Sequence, residues 1–152
     1  VRCACQCRTA NGLRPSTDSA YCELSIIMPS IANCTTVVVT MAGELDELRP
    51  AVDAACFRLA QEAVTNALRH ARQASEVRVR VDGGADQVLI IVVDDGHGVC
   101  HCCSASAAST PGFGLVGMAE RAKLLGGTFD AGPRPGGGWT VAATLPRRPV
   151  TT

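Results

Sequence analysis

The sequence has no excess of charge of either sign, which narrows the classes of partner. Fourteen Lys and Arg residues balance fourteen Asp and Glu residues, for a formal net charge of +0 over 152 residues. No basic run resembles the footprint with which proteins neutralise the phosphates of duplex nucleic acid. We therefore expect no nucleic-acid partner.

Long hydrophobic runs are also missing. The run "VLIIVV" from Val88 to Val93 is among the longest, and it is far shorter than the roughly 20 residues that cross a bilayer as a helix. The opening residues contain no apolar core of a secretion signal, and the chain starts at Val1 rather than at a methionine. We expect a soluble, cytoplasmic fragment of a longer protein, without a membrane segment.

The nine cysteines are numerous but odd in number, which argues against a complete disulfide framework. Without a secretion signal, reduced thiols are the expected state. One alternative function is a metal or redox module built from the two clusters and the adjacent His101, although neighbouring Cys102 and Cys103 are poorly placed to ligate one ion. The clusters are Cys3, Cys5 and Cys7, and Cys100, Cys102 and Cys103; the scattered cysteines are Cys22, Cys34 and Cys56.

The length and the 47% hydrophobic content suit one compact domain. Residues 1–34 show no sustained period and are interrupted by Gly12, Pro15 and Pro29, so we predict an irregular segment there with at most one short helix. Residues 35–146 carry the periodic patterns of a folded domain, and residues 147–152 are predicted to be a tail.

Within residues 35–146, strand and helix patterns alternate. "TTVVVTMAG" from Thr35 predicts a strand, residues 51–71 a helix, and "SEVRVRVDGGADQVLIIVVDDG" two strands joined by a turn. A long polar loop over 98–112 precedes a second helix, "FGLVGMAERAKLLGG", and "TFDAGPRPGGGWTVAATLP" predicts two final strands. The mixed order predicts an α+β fold, a two-layer α/β sandwich with helices on one face of a mixed sheet.

The first predicted helix has two faces of different character. Glu62, Asn66 and Arg69 fall along one side of it, which an ordinary wet helix face would explain equally well. The predicted apolar side comprises Phe57, Ala60, Ala63, Val64, Ala67, Leu68 and Ala71.

Two further segments follow this helix in a suggestive order. A strand ends in "DDGHG", and after the polar loop "GFG" opens the second helix. Each is weak alone, because acidic residues and glycines at strand and helix ends often serve only a turn. Together with the polar helix face, their order is specific.

These segments resemble the ATPase superfamily of gyrase, heat-shock chaperones and histidine kinases. "EAVTNALRHA" is similar to its N box, "DDGHG" to its first glycine box and "GFGLVGMAERAKLLGG" to its second. With the closing "GGGWTVAATLP", residues 35–146 look like the ATP-binding domain of sensor histidine kinases of the nitrate-sensor subfamily. The resemblance implies the two-layer Bergerat-type ATP-binding fold.

The resemblance also implies roles for individual residues. Asn66 would coordinate Mg²⁺ through its side-chain oxygen, a hard ligand for a hard cation. Glu62 would orient or deprotonate the nucleophile that attacks the γ-phosphate. Arg69 would contact a phosphate, and Asp94 would accept a hydrogen bond from the adenine amino group.

Glycines complete the implied nucleotide site. Gly96 and Gly98 would let the backbone pass close to the base. The residues at the start of the second helix would offer backbone N–H groups to phosphate, and residues 100–111 would form the ATP lid. These helix-start residues are Gly112, Phe113, Gly114 and Leu115.

The implied function is the catalytic domain of a two-component sensor histidine kinase. It would deliver the γ-phosphate of ATP to a histidine on a separate dimerisation domain, with a response regulator as a further partner. His70, His97 and His101 all lie in or beside the ATP boxes, so we expect no phosphoacceptor histidine in this chain. An anti-sigma-factor-type serine kinase of the same fold is the alternative, although the "GLVGMAERAKLLGG" helix favours the sensor kinase.

Overall fold

The computed structural model describes residues 22–29, 34–71, 73–96 and 113–148. These ranges contain six strands and two helices. The strands are β1 (Cys22–Pro29), β2 (Cys34–Gly43), β3 (Glu76–Gly83), β4 (Gln87–Asp94), β5 (Thr128–Pro133) and β6 (Trp139–Pro146), and the helices are α1 (Pro50–His70) and α2 (Phe113–Leu124).

The strands form one mixed sheet in the order β1-β2-β3-β4-β6-β5. Strands β2 and β3 pair in parallel, and α1 supplies the crossover that a parallel pair needs. The other neighbouring strands pair antiparallel. The central strand β4 shows why the sheet has two unlike faces: Val88, Ile90 and Val92 are buried, whereas Leu89, Ile91 and Val93 are half-buried.

Both helices pack on the buried face of the sheet, where the core lies. Helix α1 begins with Pro50 in its first turn, carries Asp53 there, and has Arg69 and His70 in its last turn. A proline at the start is compatible with helix geometry, and these charges complement the helix dipole. The predicted α+β two-layer fold, with a mixed sheet and helices on one face, is confirmed.

The apolar side of α1 was predicted only in part. Phe57 is 64% exposed, and Ala60, Val64 and Leu68 are half-buried. Apolar residues surround more than half of this helix, so periodicity alone does not fix which strip faces the sheet. The buried strip consists of Val52, Ala55, Cys56, Leu59, Ala63 and Ala67.

The prediction of irregular structure before residue 35 is wrong for Cys22–Pro29, which forms β1 and pairs antiparallel with β2 along its whole length. A strand at the edge of a sheet is held by backbone hydrogen bonds to one neighbour, so it needs no strong periodic signal. Residues 1–21 lie outside the described ranges. In the described part of the chain, no helix is both long and apolar enough to cross a membrane.

The end of β6 is joined to the neighbouring loops by Arg147. Its guanidinium donates to the backbone oxygens of Glu44 at 2.5 Å, Gly84 at 3.0 Å and Asp46 at 2.8 Å. Arg49 in turn donates through Nε to the backbone oxygen of Arg147 at 2.9 Å. The segment predicted as a tail therefore begins with a residue that is integrated into the fold.

Candidate nucleotide site

The polar face of α1 meets the first turn of α2 at Gly114. A Cβ atom on Gly114 would lie 2.8 Å from Oε1 of Glu62 and 3.3 Å from Nδ2 of Asn66. The two polar side chains are half-buried, so they are neither core residues nor freely solvated. Absence of a side chain at Gly114 is what allows them to approach α2.

The start of α2 also supplies backbone donors that have no partner within the helix. The first four N–H groups of any α-helix have no partner within the helix, and here they include those of Phe113, Gly114 and Leu115. The helix dipole adds partial positive charge at this end. The arrangement is suited to an anionic group held beside Glu62 and Asn66.

Asp94 is the last residue of β4 and is only 6% exposed. Its Oδ1 accepts a hydrogen bond from the N–H of Gly96 at 3.0 Å. Burial raises the pKa of the Asp94 carboxyl, and backbone hydrogen bonds from Gly96 and Trp139 oppose that shift. A buried carboxylate with remaining acceptor capacity is a suitable group for recognising a ligand N–H donor.

Gly96 brings the end of β4 against the end of α1. A Cβ atom on Gly96 would lie 2.7 Å from Cβ of Ala71 and 3.1 Å from its Cα. Only a residue without a side chain permits this approach, which holds Asp94 under the helix that carries Glu62 and Asn66.

Asp95 forms a connection that the sequence patterns did not predict. Its carboxylate accepts hydrogen bonds from the N–H of Ser75 at 2.8 Å, from the N–H of Glu76 at 2.9 Å and from the Ser75 hydroxyl. Partial burial raises the pKa of Asp95, but these hydrogen bonds outweigh it and hold the pKa below its ordinary value. The side chain thereby ties the end of β4 to the segment that enters β3.

The turn between β5 and β6 also lies against the candidate site, which the sequence patterns did not predict. Gly138 has a φ of +83°, and a Cβ atom there would lie 2.0 Å from the backbone oxygen of Asp94. Other residues rarely adopt this backbone conformation. The glycine-rich turn therefore fits closely against the end of β4, and a run of three glycines before a strand was the signal for it.

Other predicted site residues have less defined surroundings. Arg69 is exposed on α1, and Leu115 is half-buried and packs against the core. Gly98 and Gly112, the predicted lid over 100–111, and the cysteine clusters at 3–7 and 100–103 lie outside the described residues. Their roles stay predictions.

The alternative of a metal or redox module gains no support from the described residues. Within them, no group of three or more His, Cys, Asp or Glu side chains is placed to hold a metal ion. Cys56 is a buried free cysteine on α1. Burial, with a smaller contribution from Asp53, raises the pKa of its thiol to about 11, so it is a protonated core residue at neutral pH.

Comparison with known proteins gives one family. The family described as histidine kinase-, DNA gyrase B- and HSP90-like ATPase matches residues 51–149. Curated relatives include the histidine-protein kinase/phosphatase DegS of Bacillus subtilis, 38% identical over 106 residues, covering 68% of this chain and 27% of the relative. The methanol utilization control sensor protein MoxY of Paracoccus denitrificans is 36% identical over 134 residues, covering 80% of this chain and 29% of the relative.

The nitrate/nitrite sensor protein NarX of Escherichia coli is 37% identical over 96 residues, covering 62% of this chain and 15% of the relative. Among solved structures, the histidine kinase domain of a blue-light activated kinase from Erythrobacter litoralis superposes with a TM-score of 0.51 at 25% identity, covering 63% of this chain and 45% of that one. The chain spans less than a third of the length of these curated relatives.

Proposed function

The chain belongs to the family of histidine kinase-, DNA gyrase B- and HSP90-like ATPases, and from this we propose that it is the ATP-binding catalytic domain of a two-component sensor histidine kinase. It passes the γ-phosphoryl group of ATP to a histidine on the separate dimerisation domain of the full-length kinase, leaving ADP. A response regulator is the next acceptor. The observation that carries this proposal is the convergence of Glu62 and Asn66 on the first turn of α2 at Gly114.

The base is recognised at the other end of the site. Asp94 accepts a hydrogen bond from the adenine amino group, because the backbone hydrogen bonds from Gly96 and Trp139 use only part of the acceptor capacity of its buried carboxylate. Gly96 keeps the backbone close enough for the base to reach that carboxylate, and we propose a role in the same base site for Gly98, which lies outside the described residues.

The triphosphate lies along α1 and the start of α2. The N–H groups of Phe113, Gly114 and Leu115, with Gly112, bind phosphate oxygens, and Arg69 contacts a phosphate from α1. Glu62 orients the attacking histidine or accepts its proton.

The donor set fits a magnesium ion. Asn66 offers a neutral, hard side-chain oxygen, and Glu62 lies beside it on the same helix face. When bound, Mg²⁺ neutralises phosphate charge and polarises the phosphoryl group. Asn66 is the residue that would hold it.

The curated relatives support a sensor kinase rather than an anti-sigma-factor-type serine kinase, because DegS and NarX are a histidine kinase and a nitrate/nitrite sensor protein by name. The 37% identity to NarX also supports placement in the nitrate-sensor-like subfamily. We further propose that the domain is cytoplasmic, where ATP and a response regulator are available.

Labelling with γ-labelled ATP tests the proposed transfer. This chain should bind ATP yet remain unlabelled, and acid-labile label should appear on the dimerisation domain of the same kinase when it is added. Acid-labile label on a histidine of this chain would contradict the assignment of the acceptor to a separate domain. Acid-stable label on a serine of an added protein would favour the serine kinase.

A further inference from the structure

Strand β6 begins with Trp139, the single tryptophan of the chain. Thr140 pairs with Val93 across the sheet and Val141 pairs with Val92. The continuation of this register sets Trp139 opposite Asp94. Directly opposed residues of antiparallel strands have Cβ atoms about 4.5–5.5 Å apart, so the two residues are neighbours.

Trp139 and Asp94 also lie on the same face of the sheet. Val141, Ala143 and Leu145 follow Trp139 at every second position of β6, so they share its face, and all three are buried beneath the helices. On β4, the buried residues Val88, Ile90 and Val92 likewise occupy every second position, and buried Asp94 is the next residue on their face. The indole therefore belongs to the helix-bearing face, beside the carboxylate proposed to recognise adenine.

The exposure of β6 changes abruptly at this residue. Val141, Ala143 and Leu145 are at most 7% exposed, whereas Trp139 is 36% exposed. The described helices thus cover the face as far as Val141, and part of Trp139 remains accessible. An accessible aromatic ring next to a buried carboxylate is a suitable wall for a flat heteroaromatic ligand.

The backbone around the indole is fixed. The N–H of Trp139 hydrogen-bonds the Asp94 carboxylate, and Gly138 packs directly against the backbone of Asp94. The backbone that carries the ring is therefore held beside the carboxylate before any ligand arrives, which lowers the entropic cost of a contact.

We propose that the indole of Trp139 forms one wall of the base pocket and contacts the ring of the adenine that Asp94 recognises. The proposal rests on the proposed function, because it assigns a further binding residue to the same ATP site. It makes Trp139 both a determinant of nucleotide affinity and an internal reporter of occupancy.

Tryptophan fluorescence tests this in the unsubstituted chain. ATP is titrated while indole emission and calorimetric heat are measured in parallel, and acrylamide quenching is compared with and without saturating ATP. Emission should change with the same midpoint as the heat, and ATP should protect the indole from acrylamide. Bound ATP with unchanged emission and unchanged quenching would overturn the proposal.

Two substitutions separate an aromatic wall from a structural role. Trp139→Ala should weaken ATP binding by roughly 5- to 100-fold, since base–aromatic stacking has that order of effect, and Trp139→Phe should restore most of the affinity. Equal affinity in Trp139→Ala, or equal loss in both variants, would contradict an aromatic contact. A complete absence of ATP binding by the unsubstituted chain would instead refute the proposed function itself.

Discussion

Asp94 combines two properties that usually oppose each other, burial and a negative charge. Because burial raises its pKa in the folded chain, its contribution to stability is fully present below the unfolded-state pKa and is lost as pH rises through the raised folded-state value. At neutral pH the ionised carboxylate therefore costs stability in the nucleotide-free domain. Such a cost is expected where a group is retained for binding.

Asp94→Asn should therefore have opposite effects on stability and on binding. Without nucleotide, the melting temperature at neutral pH should rise, because no charge is buried. ATP binding should weaken. We expect the unsubstituted chain to prefer ATP over GTP by roughly 10- to 100-fold. This preference should narrow in the variant, because Asn offers a donor as well as an acceptor. Differential scanning fluorimetry and competition binding measure the two effects, and equal affinity of the unsubstituted chain for GTP and ATP would contradict the role of Asp94.

Asp95 is expected to behave in the opposite way. Its folded-state pKa is lowered, so its stabilisation is present above the unfolded-state pKa and is lost as pH falls through the folded-state value. Asp95→Ala removes the acceptor for Ser75 and Glu76 and should cost about 1–2 kcal/mol at neutral pH, a modest amount because the site is exposed.

Urea denaturation at pH 7 and at about pH 3 checks this expectation. The difference between Asp95→Ala and the unsubstituted chain should shrink at the acidic pH. A difference of the same size at both pH values would show that the ionised carboxylate is not the stabilising species.

At the scale of elements, the polar face of α1 approaches α2 at a glycine, beside the apolar core that the two helices share. Gly114→Ala would place a methyl group against the flexible ends of Glu62 and Asn66, which rotate away at little cost. The variant should keep its stability but bind Mg²⁺–ATP roughly tenfold or more weakly, equivalent to about 1.4 kcal/mol.

Gly127→Ala is the matched control, because its methyl group would lie 2.2 Å from the backbone oxygen of Thr144. Here the backbone itself must shift, so this variant should lose about 1–3 kcal/mol of unfolding free energy. If Gly114→Ala instead lost as much stability as Gly127→Ala and bound ATP normally, the contact with Glu62 and Asn66 would be structural.

Most elements were predictable because their patterns were local. The alternating valines of β3, the apolar run of β4 and the helical spacing of α1 and α2 determine those elements from their own residues. Edge strand β1 was not predicted, and Phe57 was wrongly assigned to the buried side of α1. Both outcomes depend on which neighbours cover the residues.

The candidate site was predictable to a smaller extent for the same reason. Glu62 and Asn66 share one helix, so their proximity follows from helical spacing, whereas only the family resemblance placed Gly114 in the same site. Asp95 and Trp139 act through partners about 20 and 45 residues away in the chain, and no local pattern marks such pairs.

At the scale of the whole molecule, Arg147 holds together the end of the sheet opposite to Asp94. Its mostly buried guanidinium joins the loop after β2 to the turn after β3. Arg147→Ala would leave those backbone oxygens without their charged donor and should cost about 2–4 kcal/mol of unfolding free energy, with a partial rescue in Arg147→Lys.

Because this network is remote from the proposed nucleotide site, ATP affinity below the melting transition should stay unchanged in Arg147→Ala. Chemical denaturation and a binding titration measure the two quantities separately. A loss of affinity without a loss of stability would contradict the separation of the two ends of the sheet.

The most direct test of the central claim, that α1 and α2 form a magnesium-dependent ATP site, is calorimetric titration of ATP into this chain with and without Mg²⁺, repeated on Asn66→Ala. We predict one ATP per chain with Mg²⁺, weaker binding without it, and loss of the Mg²⁺-dependent part in Asn66→Ala at an almost unchanged melting temperature. Absence of ATP binding, or binding to Asn66→Ala with the same affinity and the same Mg²⁺ dependence, would contradict the account.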